Sequence, residues 1–326
     1  MPLIDTPSYR SRPLLFFNRH IETIFPSLFF KAVDINYQRE RLELADGDFL
    51  DLDWVQNHNT KLMIISHGLE GGTDRYYVKR TANYFSQRGW DILAWNCRSC
   101  SGEMNRLPCF YHHGATHDLA DVVDHALKNR TYQQAVLFGY SMGGSLSLKY
   151  LGENPGRDSR IRGAVTFSVP CSLHDSARQL ERRENRIYKM KFLKKLLVKI
   201  QKKALEHPGV IPVDPIENIS SFDDFHRHYT VPLHGFENIG DFYKKATCDQ
   251  FLPQINRPVL IVNAQNDPML GKKCYPREVA SQNPNVYLEI PTKGGHTGFT
   301  LWGKDYSWME LRAEAFLKIL DVPASL

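Results

Sequence analysis

The stretch FGYSMGG, residues 138–144, sets a lone serine among glycines directly behind the apolar run QQAVLFG (133–139). A strand running straight into G-x-S-x-G and then a helix has the form of a nucleophile elbow. The serine sits on a strained turn, and a side chain at Gly139 or Gly143 would collide with the neighbouring strand and helix. Such a turn lifts the Ser141 hydroxyl clear of a sheet. It also leaves the Met142 N–H at a helix N-terminus, aimed where a carbonyl oxygen would become negative. A glycine-rich turn that only packs tightly would look the same in isolation; the strand before it and the helix after it favour the elbow.

Working outward, short β-branched and aromatic runs alternate with helix-like stretches, the pattern of an α/β fold with a mostly parallel sheet and helices on both faces. LMIIS (62–66), WDILAW (90–95), AVLFG (135–139), AVTFS (164–168), PVLIVNA (258–264) and VYLEI (286–290) each read as a buried strand. Ahead of them INYQRERLEL and DFLDLDWV flank the turn signal ADG and predict an antiparallel N-terminal hairpin. From Tyr306 to Leu320, apolar Met309, Ala313, Phe316 and Leu320 share one helical face and should cover the sheet. The interval 171–257 is far longer than the usual link of about 2 to 6 residues beyond a helix, so it reads as an inserted helical cap. Residues 1–170 and 258–326 would then form the core.

A serine hydroxyl is a weak nucleophile near neutral pH and needs a base within hydrogen-bond reach and an acid to orient that base. Asp267 follows the strand in PVLIVNAQND, which places it at a strand's carboxyl end, on the rim that Ser141 occupies. An aspartate before Pro268 is also ordinary turn chemistry. His296 sits between glycines in TKGGHTGF, beyond the last strand, in a loop able to swing an imidazole over the serine. The chain order serine, acid, histidine is the one that accompanies this elbow. SHGLEGG (66–72) follows the third strand, where a second oxyanion donor is expected, and Leu69 is assigned to it. His113 and His117 stand four apart, as metal ligands on a helix do, but no H-E-x-x-H arrangement is present and Gly114 argues against a helix. No metal and no cofactor are expected.

Composition bounds the remainder. At 326 residues, with 42% hydrophobic and 24% charged side chains, the chain suits an ordinary globular protein. The first twenty residues hold Asp5 and only the apolar run LLFF, too short for a secretory h-region, and no stretch approaches a bilayer span; a soluble, cytoplasmic protein is expected. Six cysteines are too sparse for a disulfide scaffold, and the C-x-x-C of Cys97 and Cys100 has no second pair at zinc-finger spacing. The net charge of +5 is uneven: eleven Lys or Arg face two Glu between Arg178 and Lys203, which leaves −4 for everything else. Within that segment RIYKMKFLKKLLVKIQKK places Ile187, Met190, Leu193, Leu197 and Ile200 at helical spacings. A basic amphipathic helix of this kind can rest on an anionic membrane, although most pack their stripe against their own protein. No nucleic-acid motif accompanies the charge, so nucleic acid is not expected as a partner.

Taken together the chain resembles the α/β-hydrolases, in particular the YheT-like branch, whose eukaryotic members are called α/β-hydrolase-domain lipases and phospholipases. The resemblance spans nearly the whole length and rests on NRHIETIFPSLF, DGDFLDLDW, SHGLEGG, NCRSCSGE, GYSMGG, NAQNDP and GGHTGF. It implies Ser141, Asp267 and His296 as catalytic triad and Leu69 and Met142 as oxyanion donors. The family often reads N-x-R-G-C-S-G where this chain has NCRSCSG, with Ser99 in place of the glycine. Membrane-anchored relatives carry a transmembrane helix that this sequence lacks. The expected function is a serine carboxylesterase for short- to medium-chain acyl esters. The alternatives are an acylglycerol lipase or phospholipase at an anionic membrane surface, touching it through the basic cap, and a non-catalytic ligand-binding module on a hydrolase fold. Neither the substrate-binding residues nor the oligomeric state can be read from the sequence.

Overall fold

Alternate residues of each central strand face opposite layers of helices, which is why these strands read as unbroken apolar runs. The computed structural model describes residues 3–4, 8–9, 18–30, 33–128 and 130–320. The apolar run at 14–17 and the chain's last six residues lie outside the described residues. The strands are β1 (Leu3–Ile4), β2 (Gln38–Glu43), β3 (Phe49–Val55), β4 (Lys61–Ser66), β5 (Asp91–Trp95), β6 (Gln134–Tyr140), β7 (Ile161–Phe167), β8 (Val259–Val262) and β9 (Val286–Glu289). Among the described residues they form one sheet in the order β1-β9-β8-β7-β6-β4-β5-β3-β2. Pairing is parallel from β1 through β5 in that order, and antiparallel where β3 meets β5 and β2. The expected hairpin is therefore β2–β3, with Gly47 at φ 86° in its turn.

Leu62 and Ile64 of β4, Leu137 of β6 and Ile261 of β8 are buried under α3 (Thr116–Lys128), α4 (Met142–Glu153) and α10 (Arg277–Gln282). Their neighbours Met63, Ile65, Phe138 and Leu260 face α2 (Tyr76–Ser86) and α11 (Trp308–Leu320) instead. Each fully buried side chain of this size contributes about 2 kcal/mol of transfer free energy. The α11 helix begins two residues later than its sequence pattern suggests, and Met309, Ala313, Phe316 and Leu320 are the buried face. β1 is absent from the sequence reading; it is two residues long and exists through its pairing with β9.

Two further segments frame the site. An N-terminal helix, α1 (Arg19–Phe29), is capped by the Asn18 side chain accepting from the His20 N–H. Between β7 and β8 the regular structure is all helical among the described residues: α5 (Leu173–Leu180), α6 (Arg186–Glu206), α7 (Phe222–Phe225), a π-helical turn over His226–Thr230, α8 (Val231–Leu233) and α9 (Ile239–Ala246). Their apolar residues form two clusters, one of which also takes in Met269 from the loop after β8. Leu193, Ile200, Phe222, Phe225 and Tyr229 make one of them.

The apolar stripe read along α6 is only partly the buried one. Leu193 and Ile200 are buried, but Ile187 and Met190 are exposed. In their place lysines turn inward: Lys195 and Lys199 bond to Glu70, and Lys203 bonds to the Asn105 carbonyl. Long alkyl stems let these side chains cover apolar surface while their ammonium groups reach polar partners. At Ser99 the turn usually made by glycine is preserved. Ser99 takes φ 61°, and its hydroxyl bonds to Asn105, donating to the side-chain oxygen and accepting from the N–H.

Candidate active site

From β4 the chain moves to β5 on one side and then returns to β6 on the other, so the loops leaving β4 and β6 diverge from adjacent strand ends. Ser66 and Gly139 are register partners at those ends. Such a reversal opens a crevice at the carboxyl edge of a parallel sheet. Ser141 stands in it with φ 51° and ψ −117°, a strained conformation for a residue with a side chain. Its N–H is held by the Phe167 carbonyl at 2.9 Å. The flanking glycines have the steric cause expected of them. A Cβ on Gly139 would lie 2.5 Å from the Gly144 Cα, and one on Gly143 would lie 2.2 Å from the Ser66 carbonyl oxygen.

The structure brings Ser141, His296 and Asp267 together from the ends of three different strands. His296 Nε2 is 3.0 Å from Ser141 Oγ, and Nδ1 is 2.9 Å from Asp267 Oδ2 and 3.1 Å from Oδ1. Asp267 is only 2% exposed and also accepts the Met269 N–H at 2.8 Å, so its carboxylate is fixed in place. A carboxylate facing Nδ1 favours the tautomer with its proton there. That leaves Nε2 as a lone pair aimed at the hydroxyl.

The loop bearing His296 is anchored by residues that the sequence reading did not assign. The His296 N–H donates to Thr23 Oγ1 at 2.9 Å, and the Gly294 N–H donates to Glu22 Oε2 at 2.8 Å; both acceptors lie on α1. Asn266 joins them, donating to Glu22 and accepting the Gly295 N–H. The Thr297 N–H donates to Ser168 Oγ. Gly295 has φ 58°, and a Cβ there would meet Thr23 Oγ1 at 2.8 Å, so the glycine before the histidine admits α1. The signal was present in NRHIETIF, quoted for its resemblance, but its contact with the histidine loop crosses 273 residues.

Across the crevice lies the loop after β4. The Gly68 N–H is bound by the Tyr77 hydroxyl, that of Glu70 by Tyr111, and that of Gly71 by the Gly68 carbonyl. Leu69 alone of these four has an N–H with no hydrogen-bond partner among the described residues. A Cβ on Gly68 would stand 3.3 Å from the Ser141 Cβ, so the loop lies directly against the serine. Met142 is the first residue of α4, where a helix leaves its N–H unbonded. His67 braces the loop from within: Nδ1 faces the Gly68 carbonyl at 2.7 Å, while Nε2 accepts the Cys97 N–H at 3.1 Å. That pair of contacts requires a neutral ring protonated at Nδ1. His113 precedes α3 rather than lying on it, so it shares no helix face with His117.

Ser141 and His296 open into a cleft of about 360 Å³, walled by Ser27 of α1 and Phe30 just past its end, Tyr76 and Tyr77 of α2, and Lys191, Phe192 and Lys195 of α6. Among the described residues no helix is long and apolar enough to cross a membrane.

Comparison with known proteins agrees with this architecture. Residues 61–190 match the alpha/beta hydrolase fold family. The chain is 31% identical over 294 residues to YheT of Escherichia coli (strain K12), an esterase in name, covering 87% of this chain and 85% of that one. It is 29% identical over 299 residues to phospholipase ABHD3 of Mus musculus, covering 88% and 72% respectively. Among solved structures, the Pyrococcus furiosus esterase Pf2001 superposes with a TM-score of 0.59 at 16% identity, over 89% of this chain and 98% of that one. That likeness is one of fold. The sheet order, the strained serine turn and the kinship with YheT together place this chain in the α/β-hydrolase family, in its YheT-like branch.

Proposed function

We propose that the protein is a serine carboxylesterase that hydrolyses short- to medium-chain acyl esters through an acyl-enzyme. The observation that carries this reading is the unbroken relay from Asp267 through His296 to Ser141, with both contacts at 3.0 Å or less. Ser141 Oγ attacks the ester carbonyl as His296 Nε2 takes its proton. The Leu69 and Met142 N–H groups hold the oxyanion, and His296 returns the proton to the departing alcohol. Water then repeats the sequence on the acyl-enzyme. Asp267 keeps the imidazole in its productive tautomer and stabilises it once charged. Residues 171–257 act as a cap over a core of 1–170 and 258–326, with α6 contributing one wall of the cleft.

The test is turnover of p-nitrophenyl esters of increasing acyl length by the wild type and by Ser141→Ala. The variant should fold normally and lose roughly 10⁶-fold in turnover. Undiminished turnover in the variant would remove Ser141 from the mechanism, and no turnover by the wild type across the series would favour the ligand-binding alternative.

A second reading, a lipase or phospholipase working at an anionic membrane, is favoured by exposed Leu28 and Phe29 on α1 and exposed Ile187 and Met190 on α6, the two helices that wall the cleft. Basic residues intersperse the α6 pair. Cosedimentation with anionic but not neutral liposomes is then expected, and equal, negligible binding to both removes this reading.

A further inference from the structure

One wall of the cleft beside Ser141 carries a concentration of positive charge that the ester chemistry above does not use. Arg75, Lys191 and Lys195 all line the cleft that holds Ser141 and His296. Lys195 Nζ and an Arg75 guanidinium nitrogen converge on one backbone carbonyl, that of Glu70, at 3.0 and 3.2 Å. A carbonyl is neutral, so it orients these cations without cancelling their charge. The Glu70 carboxylate is already engaged, by Lys199 at 2.9 Å and by the Tyr111 hydroxyl at 2.6 Å. Asp74, the remaining acid of the cleft, is 3.9 Å from Arg75 but three-quarters exposed, where water screens it. Lys191 forms no ion pair among the described residues. Consistent with this excess, burial and the nearby Arg75 guanidinium hold the Lys195 ammonium below its ordinary range. The carbonyl that gathers the two cations belongs to Glu70, the residue after Leu69, and Leu69 lines the same cleft as Ser141.

We propose that Arg75, Lys191 and Lys195 form an anion subsite, and that the preferred substrates are acyl esters bearing a carboxylate or phosphate a few bonds from the scissile carbonyl. This rests on the esterase reading for its chemistry. The aromatic walls at Phe30, Phe192, Tyr76 and Tyr77 take the alkyl portion, and the cations select its charged end. Cation and anion in a partly dehydrated cleft attract more strongly than in open water, and added salt weakens that attraction.

Two matched pairs test the proposal and separate the side of the ester that carries the charge. p-Nitrophenyl butyrate against mono-p-nitrophenyl glutarate places the anion on the acyl group. Butyrylglycerol against butyrylglycerol phosphate places it on the alcohol. At low salt the anionic member of at least one pair should show a kcat/KM about tenfold higher. Lys191→Gln and Arg75→Gln should each shrink that ratio by about fivefold, and so should raising the ionic strength. A ratio near one in both pairs, or a ratio indifferent to removal of these charges, overturns the subsite. Binding separates this outcome from failure of the esterase reading itself. By NMR titration, Ser141→Ala should bind the anionic member of at least one pair more tightly, monomethyl glutarate over methyl butyrate or butyrylglycerol phosphate over butyrylglycerol, whether or not the wild type turns esters over. Equal binding within both pairs overturns the proposal.

Discussion

The strand-end rim and the helical segment between β7 and β8 differ in what positions their side chains. At the rim, backbone does the work: Ser141 is held by a turn that tolerates no side chain at Gly139 or Gly143, and Asp267 lies in the short loop that leaves β8. In the helical segment, packing decides, and a side chain's direction depends on which surface the helix meets. Ile187 and Met190 look like core and face solvent, while Lys199 and Lys203 look like surface and reach buried partners. Short motifs with steric causes can therefore be read residue by residue, whereas an amphipathic pattern announces a helix and leaves its contacts undetermined.

The rim should respond most strongly to substitution. Short of losing Ser141 or His296, the largest effect should come from Asp267→Asn, which keeps the shape but spoils the imidazole tautomer; turnover should fall by about 10⁴-fold. A fall of tenfold or less would mean that the buried aspartate serves only the turn around Met269. Thr23→Val lies between the two regimes, because α1 is a helix that braces a rim loop. Losing the acceptor for the His296 N–H should lower kcat by about 10²-fold with little change in KM, as displacement of a catalytic group does. Rescue by Thr23→Ser, which restores a hydroxyl, separates this positioning role from general damage.

The smallest effect belongs to the helical segment. Burial pushes the His226 imidazole down to about 3 and that of His234 down to about 4. Histidines in the unfolded chain take up protons near pH 6.5, whereas these two remain neutral in the fold until the pH is far lower. Stability should therefore be intact above about pH 6.5 and decline progressively from there toward pH 3. His226→Gln should flatten the decline in melting temperature between pH 6.5 and 4. An unchanged slope would place the acid sensitivity elsewhere.

Most of the rim could be read from the sequence because each motif there has a local cause. Gly143 excludes a clash with the Ser66 carbonyl, and Leu69 sits in a loop that follows a strand at once. The cradle of Glu22 and Thr23 could not be read, because its hydrogen bonds link α1 to a loop more than 270 residues away and leave no local periodicity. β1 escaped for a similar reason: two residues become a strand only beside β9. At Ser99, where the family often has glycine, the left-handed backbone survives because Asn105 engages the serine side chain, a partner six residues on that the motif does not record. The inward lysines of α6 escaped because a charge pattern does not record which carbonyl or carboxylate stands opposite.

The proposed chemistry requires Ser141 to be an activated nucleophile, which intact-mass spectrometry after exposure to a fluorophosphonate reads out. One adduct per chain is predicted, on the peptide carrying Ser141, with labelling greatly slowed in His296→Ala and absent in Ser141→Ala. An unmodified wild-type chain, or an adduct that persists without Ser141, would contradict it.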